Sequence, residues 1–326
     1  MDIEKEFLST YELQVIGKQK ITSILSIIQN FRQRPEIFSS LLGWIYGDGS
    51  FSTEYKMALW GDKYSLTKIA KKVIEVAPLQ YKIKEKIGKN SHYLYFIGKD
   101  VLAFNRFLYV LGAPKGKKVS QEFYVPDWIM SGSREVKRSF LHAIFSNEMD
   151  SPKIHQAMRF RMYKYRALQS KFCKFLEQLI ALCSEFGIKT SNIIEFDDES
   201  AAILDKEERV CLGFYIKRKS ENMLRFYNEI SFPYSVYKQE KLENCVLFYL
   251  EYVKSRLKSH ETYLLAKDLH NQNREFIKIS IYLNIPTSTL CGWLYCNKMP
   301  LPNYEEVKSI VAKTEVALSS NKSRLL

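Results

Sequence analysis

Two nine-residue segments lie 100 residues apart and align position for position. Leu41, Leu42, Gly43, Trp44, Ile45, Tyr46, Gly47, Asp48 and Gly49 form the first; Leu141, His142, Ala143, Ile144, Phe145, Ser146, Asn147, Glu148 and Met149 form the second. Each is mainly apolar or small up to an acid at the eighth place. A self-similar pair at that spacing asks for two compact α/β half-domains, each built around one buried helix. The flanking pattern agrees. The first series reads helix at 36–47, strand-like stretches to Trp60, helix at 64–76, strands at 80–87 and 91–98 and helix at 100–111. The second reads helix at 135–147, strand at 154–164, helix at 167–186, strands at 188–196 and 209–218 and helix at 220–230. A helical arm reaching about Phe31 precedes them. The expected divisions are 1–34, 35–132, 133–256 and 257–326.

The pair has a chemical consequence. Gly43 and Gly47, four apart, leave a bare strip on one helix face, and Ala143 puts a small residue at the matching place. Two such helices can pack side by side, which brings Asp48 and Glu148 together at two helix C-termini. The macrodipole opposes a carboxylate there by about 0.3–1 kcal/mol each, and the two acids repel one another. A divalent cation would remove the conflict, because Mg²⁺ takes carboxylate, carbonyl and water oxygens.

Charge narrows the partner. Lys plus Arg number 49 against 36 Asp plus Glu, a formal +13. Residues 195–208 hold seven of those acids against one lysine, which leaves about +19 on the rest of the chain. Such a balance suits a polyanion, and the acidic segment is expected to be a solvated loop facing away from it. With 21 Tyr and 20 Phe the positive charge sits on folded structure, not on a basic tail. No apolar run is long enough to span a membrane, and the N-terminus lacks a signal-peptide layout. An intracellular, cytoplasmic or nucleoid-associated protein is expected. The six cysteines form no CxxC and the five histidines no HExxH, so zinc and redox motifs are absent.

With these segments in view the sequence resembles the LAGLIDADG homing endonuclease family, in its single-chain form with two motif copies. Residues 41–50 carry the resemblance most closely. Leu111, Gly112, Ala113, Pro114, Lys115, Gly116, Lys117 and Lys118, then Val125 to Ile129, then Glu135 to Leu141 resemble the connection between such halves. The resemblance implies an α+β fold of two pseudo-symmetric αββαββα half-domains whose sheets form a saddle over double-stranded DNA. It implies Asp48 and Glu148 as catalytic metal ligands, the main-chain carbonyls of Gly47 and Asn147 as further ligands, and Mg²⁺ or Mn²⁺ as cofactor. It also implies a basic residue near each scissile phosphate: Lys118, or its neighbour Lys117, in the first half and Lys238 in the second.

The strands fit a phosphate-tracking surface on their own terms. Lys82, Lys84 and Lys86 alternate with Tyr81, Ile83 and Ile87, so one face is cationic and the other packs. Arg159 with Arg161, and Lys217 with Lys219, repeat the pattern. The second motif departs from the family at Met149, where glycine is usual, because a side chain disfavours the left-handed conformation expected to end the helix. Asn147 also replaces a small residue at the helix contact.

Beyond the repeat, residues 276–294 resemble a helix-turn-helix. Ser280 is small at the crossing, Asn284 tolerates the turn's positive φ, and Ile285, Leu290 and Trp293 fill a small core. Thr287 or Ser288 is expected to cap the second helix, with Thr287, Ser288 and Thr289 facing a major groove. Terminal His and Asn are lacking, so a free-standing or intron-encoded protein of a mobile element is expected, acting as a monomer. The expected activity is metal-dependent, sequence-specific hydrolysis of DNA phosphodiesters. The alternative is a non-catalytic DNA-binding regulator, or an RNA maturase, with a degenerate second motif.

Overall fold

The computed structural model describes residues 5–7, 18–86, 91–197, 209–296 and 298–322. The chain is α+β, with helices packed on two small antiparallel sheets. It divides into two compact units, one formed by residues 1–217 with 229–242 and the other by 218–228 with 243–326.

In the first unit, α1 (Lys18–Gln33) leads into α2 (Pro35–Tyr46), which carries the first motif. Proline at its first position and Glu36 in its first turn suit a helix start. From Ile37 to Tyr46 every residue is buried, as befits a helix covered all round. Then come β1 (Gly49–Phe51), β2 (Met57–Gly61), α3 (Lys63–Val76), β3 (Gln80–Glu85), β4 (His92–Ile97) and α4 (Val101–Val110). The four strands form one sheet in the order β1-β2-β4-β3. Its inner face carries Leu59 and Leu94, which sit opposite one another and are fully buried with Ile69 and Val73 of α3.

A connecting segment with a 3-10 turn at Lys118–Ser120 and the one-turn helix α5 (Asp127–Met130) leads to α6 (Arg134–Glu148), the second motif helix. Ser133 caps it by accepting from the Val136 N–H. Next are β5 (Met158–Tyr165), α7 (Gln169–Glu185), β6 (Ile194–Glu195) and β7 (Arg209–Ile216), with strand order β5-β7-β6. The strand expected over 188–196 shrinks to two residues plus an isolated bridge from Thr190 to Ile216. Most of the acidic segment lies outside the described residues, as do 87–90; in its described part Glu195 pairs with Arg166 at 3.2 Å.

The two motif helices cross directly. A Cβ on Gly43 would stand 2.5 Å from the Phe140 carbonyl and 3.0 Å from Ala143 Cβ, so the glycine is what lets the backbones meet. Ser39 Oγ donates to the Val136 carbonyl at 2.7 Å and Ser40 Oγ to that of Ser139 at 3.4 Å.

The second unit contains α8 (Ser220–Glu229) up to Asn228, most of α9 (Val236–Asn271), α10 (Phe276–Leu283), α11 (Thr287–Leu294) and α12 (Tyr304–Lys322). The boundary expected at 256/257 falls inside α9, a single 36-residue helix. Between α10 and α11 Asn284 is left-handed (φ 51°) and Ser280 Oγ donates to the Ile285 carbonyl at 2.7 Å. Ala266, Leu269, Ile279 and Leu290 form the small core, with Ile285 and Trp293 against it. The expected cap differs: Pro286 holds the N-cap position with no side-chain bond, and Thr287 is already the first helical residue. Thr287 and Ser288 are exposed and Thr289 is half-buried.

Candidate nuclease centre

Asp48 and Glu148 leave the ends of α2 and α6, where the helices touch. A Cβ on Gly47 would lie 2.8 Å from Asn147 Cβ, so the bare side of one helix end is filled by the side chain of the other. Asn147 Nδ2 is buried with no hydrogen-bond partner. Neither helix ends in the left-handed region. Gly47 has φ −82°, and Met149 is extended at φ −82° and ψ 144°. The objection to Met149 therefore falls: it pairs with Phe160 as a strand residue and is buried. Gly49 is required for space, because a Cβ there would stand 2.5 Å from Ile45 Cα.

The conflict between acids and helix dipoles is met by lysines. Lys118 Nζ donates to the carbonyls of Ile45 and Tyr46, each at 3.2 Å, and to that of Gly47. Lys238 Nζ donates to the carbonyls of Ser146 at 2.8 Å and Asn147 at 2.9 Å. Each motif helix thus ends on an ammonium group, which neutralises its free carbonyls. The Gly47 and Asn147 carbonyls, expected as metal ligands, accept from these lysines. Lys118 and Lys238, expected only from the resemblance, stand at equivalent places.

The four charges feel one another. Burial, with Asp48 adding to it and Lys118 and Lys238 opposing it, pushes Glu148 up to about 7. Burial also raises Asp48 against the same two lysines. Asp48 is open to solvent whereas Glu148 is half-buried, so water screens the penalty more at Asp48. Burial lowers both lysines and the two acids hold them up. His142 in the second motif is pushed down to about 3 by burial and by Arg138, Lys72 and Lys68. It is neutral near pH 7 and unsuited to take up a proton.

The centre opens into a cleft of about 700 Å³ lined by Lys118, Asn147, Glu148, Asp150, Arg161 and Tyr163. Two carboxylates with neighbouring carbonyls and an amide are hard donors of the kind Mg²⁺ or Mn²⁺ takes. Among the described residues no group of three or more His, Cys, Asp or Glu side chains gathers.

One functional candidate escaped the sequence reading. Lys164 lies on the inward phase of β5 with Met158, Phe160 and Met162, is 2 % exposed, and sits 3.6 Å over the Phe123 ring. Its Nζ donates to the carbonyls of Lys118 and Gln121, the latter at 2.9 Å. Burial, with Lys118 nearby, brings it down to about 7. A lysine in the apolar phase of an alternating strand was the available signal. The opposite half is tied in a similar way: Lys68 Nζ donates to the Pro233 carbonyl at 2.8 Å and Lys72 Nζ bonds to Tyr234 Oη at 3.0 Å, in the segment that leads to Lys238.

The expected DNA-facing cations are scattered in their roles. Lys82, Lys84 and Lys86 are exposed. Lys84 lies 5.5 Å over Tyr95 and Lys86 4.9 Å over Trp60. Arg159 pairs with Asp150 at 2.5 Å, and Arg161 lines the cleft. Lys217 and Lys219 follow the end of β7 and are exposed. Lys117 is also exposed.

No family model matches the chain. It is 24 % identical over 211 residues to DNA-directed RNA polymerase subunit Rpo1N of Methanocaldococcus jannaschii, covering 57 % of this chain and 15 % of that protein. It is 23 % identical over 235 residues to tRNA-splicing ligase RtcB of Methanopyrus kandleri, covering 67 % and 23 %. A third similarity, 25 % over 220 residues, is to the Replication factor C small subunit of M. jannaschii, covering 62 % and 11 %. The chain thus spans less than a quarter of each of these relatives. Among solved structures it is similar to I-DmoI in complex with DNA and Ca (TM-score 0.40, 17 % identity, 63 % of this chain and 95 % of that one). It is also similar to full-length DUF199/WhiA from Thermatoga maritima (TM-score 0.38, 11 % identity, 96 % of each chain).

Proposed function

We propose that the protein is a double-stranded DNA endonuclease of the LAGLIDADG kind, with two pseudo-symmetric halves that each present one acid to the phosphodiester backbone. The observation that carries this reading is the twin helix end: Asp48 and Glu148 coupled to one another, with Lys118 and Lys238 tied to the same two helix termini. Two negative charges held at the unfavourable end of two helices have no structural use, whereas hydrolysis of a phosphodiester needs that concentration of hard oxygens. Asp48 and Glu148 would hold Mg²⁺ or Mn²⁺, which supplies a Lewis acid and a water of lowered pKa when bound. Lys118 and Lys238 stand where an ammonium can stabilise charge on a phosphate oxygen. Exposed lysines on the first sheet and Arg161 beside the cleft would track the backbone, and α10 with α11 would add a helix-turn-helix contact.

The three named relatives differ in activity yet match over stretches of similar length, 211 to 235 residues. That pattern fits a shared module better than a shared activity, so neither polymerase nor ligase chemistry is carried over. A second reading, DNA binding without cleavage, is favoured by one observation: the Gly47 and Asn147 carbonyls already accept from lysines. Incubation of a library of random duplexes with Mg²⁺ or Mn²⁺ separates the two. The endonuclease reading expects a recovered cleavage site, with cutting reduced about a thousandfold in Asp48→Asn and Glu148→Gln and binding kept. An intact library from which a defined site is nonetheless bound establishes the second reading.

A further inference from the structure

The outer face of the first sheet is aromatic as well as basic. Across it, the register sets Trp60 of β2 opposite Tyr93 of β4, and Tyr93 opposite Lys84 of β3; Tyr95 stands opposite Lys82. Trp60 and Tyr93 rings are 5.2 Å apart, and Tyr93 and Tyr95 are stacked at 6.0 Å with an interplanar angle of 25°. The three rings are half-buried, and their faces are open enough for Lys86 and Lys84 to lie over Trp60 and Tyr95. The row begins at the acid: the Trp60 N–H donates to the Asp48 carbonyl at 3.0 Å. Apart from Asp48, no carboxylate occupies this face of the named strands.

The chemistry of such a face is specific. A paired duplex hides the ring faces of its bases and shows only their edges, so a row of open aromatic faces gains little from it. Unpaired bases offer π-faces for stacking, while the adjoining lysines meet the phosphates. The second sheet differs at two of the three places: Arg161 stands opposite Gly213 where Trp60 faces Tyr93, and only Tyr215, opposite Arg159, matches Tyr95. Resting on the DNA reading above, we propose that Trp60, Tyr93 and Tyr95 form a stacking platform for unpaired bases of a DNA strand next to Asp48, so that the first half engages its strand with local base pairs opened.

Binding without metal tests this apart from cleavage. In EDTA at low salt, single-stranded dT30 is expected to bind and to quench tryptophan fluorescence, and the quench is expected to fall in Trp60→Phe while affinity stays. Trp60→Leu and Tyr93→Leu, made separately so that one misfolded variant does not decide the matter, are each expected to weaken dT30 about fivefold or more. Affinity for a paired 30-mer is expected to change by less than about twofold, and a duplex with an unpaired run of thymines is expected to bind more tightly than its paired form. Equal losses on dT30 and duplex, or no loss on dT30, overturn the platform while the DNA reading stands. U30 RNA bound about tenfold more tightly than dT30 overturns the assignment to DNA. Unmodified protein that binds neither dT30 nor duplex overturns the DNA reading itself.

Discussion

Next to Asp48 the first sheet carries Trp60, Tyr93 and Lys84 in one row, whereas next to Glu148 the second carries Arg161 and then Gly213. At the helix ends the two halves agree instead: each acid stands at the end of a helix whose closing carbonyls accept from a lysine far along the chain, Lys118 or Lys238. Agreement at the ends and divergence on the sheets separate two demands. On the endonuclease reading proposed above, placing two carboxylates and two ammonium groups around one phosphodiester would leave little latitude, while the sheet faces would meet different stretches of a nucleic acid and could differ freely.

The first way to break this comparison is to remove one lysine at a time. If the centre is functionally twofold, Lys118→Met and Lys238→Met each slow cleavage of a different strand by about a hundredfold or more, visible as nicked intermediates on a supercoiled plasmid. Equal slowing of both strands by either change means one shared centre. Lys164→Met sharpens the contrast, because Lys164 touches the loop of Lys118 and not that of Lys238. Lys164→Met takes the donor away from the carbonyls of Lys118 and Gln121, which costs about 1–3 kcal/mol where they stay unpaired. The expected result is a lower Tm together with about tenfold slower cutting of the Lys118 strand alone. A uniform loss on both strands would make Lys164 merely structural.

The legible part of this molecule was the part with a period or a small residue. The 100-residue repeat, Gly43 against Ala143, the basic alternation of β3 and the left-handed Asn284 could all be placed from residue types, since each reports a local steric rule. Met149 misled because the helix end was assumed to be left-handed, and extended backbone there carries no such restriction. The lysine clasps were legible only through family resemblance. Lys118 and Lys238 reach carbonyls 71 and 91 residues away, and a surface lysine and a helix-capping lysine look alike until the fold closes the distance. Lys164 was hidden for a similar reason, although its place in the apolar phase of β5 was readable.

A smaller effect concerns pH. Glu148 is held up at about 7 in the folded protein, so between its unfolded value near 4.5 and pH 7 the native state binds more protons than the unfolded one. In EDTA its contribution is full below about pH 4.5 and is lost as pH rises through about 7. Glu148→Gln is therefore expected to be more stable than the unmodified chain at pH 8, with the gap closing towards pH 5, in urea melts. The open Asp48 gives a weaker trend of the same sign, and Asp48→Asn compares the two halves directly. Equal trends would mean that the burial difference between the acids has no energetic weight.

The smallest effect lies where the helix ends meet. Gly47→Ala puts a methyl group 2.8 Å from Asn147 Cβ, and overpacking of that kind costs about 1–3 kcal/mol. Asn147→Gly alone removes the side chain that fills the bare flank of Gly47, Cβ included, and with it a buried amide nitrogen that has no partner, so its cost is expected to be about 1 kcal/mol, the penalty of a glycine in a helix. Together the two changes exchange which helix carries the bulk. The double variant is expected to recover at least half of the Gly47→Ala loss, as a coupling energy of about 0.5–1.5 kcal/mol in urea melts. Strict additivity would mean that the helix ends part without strain, and the close approach at Gly43 alone would then hold the two acids together.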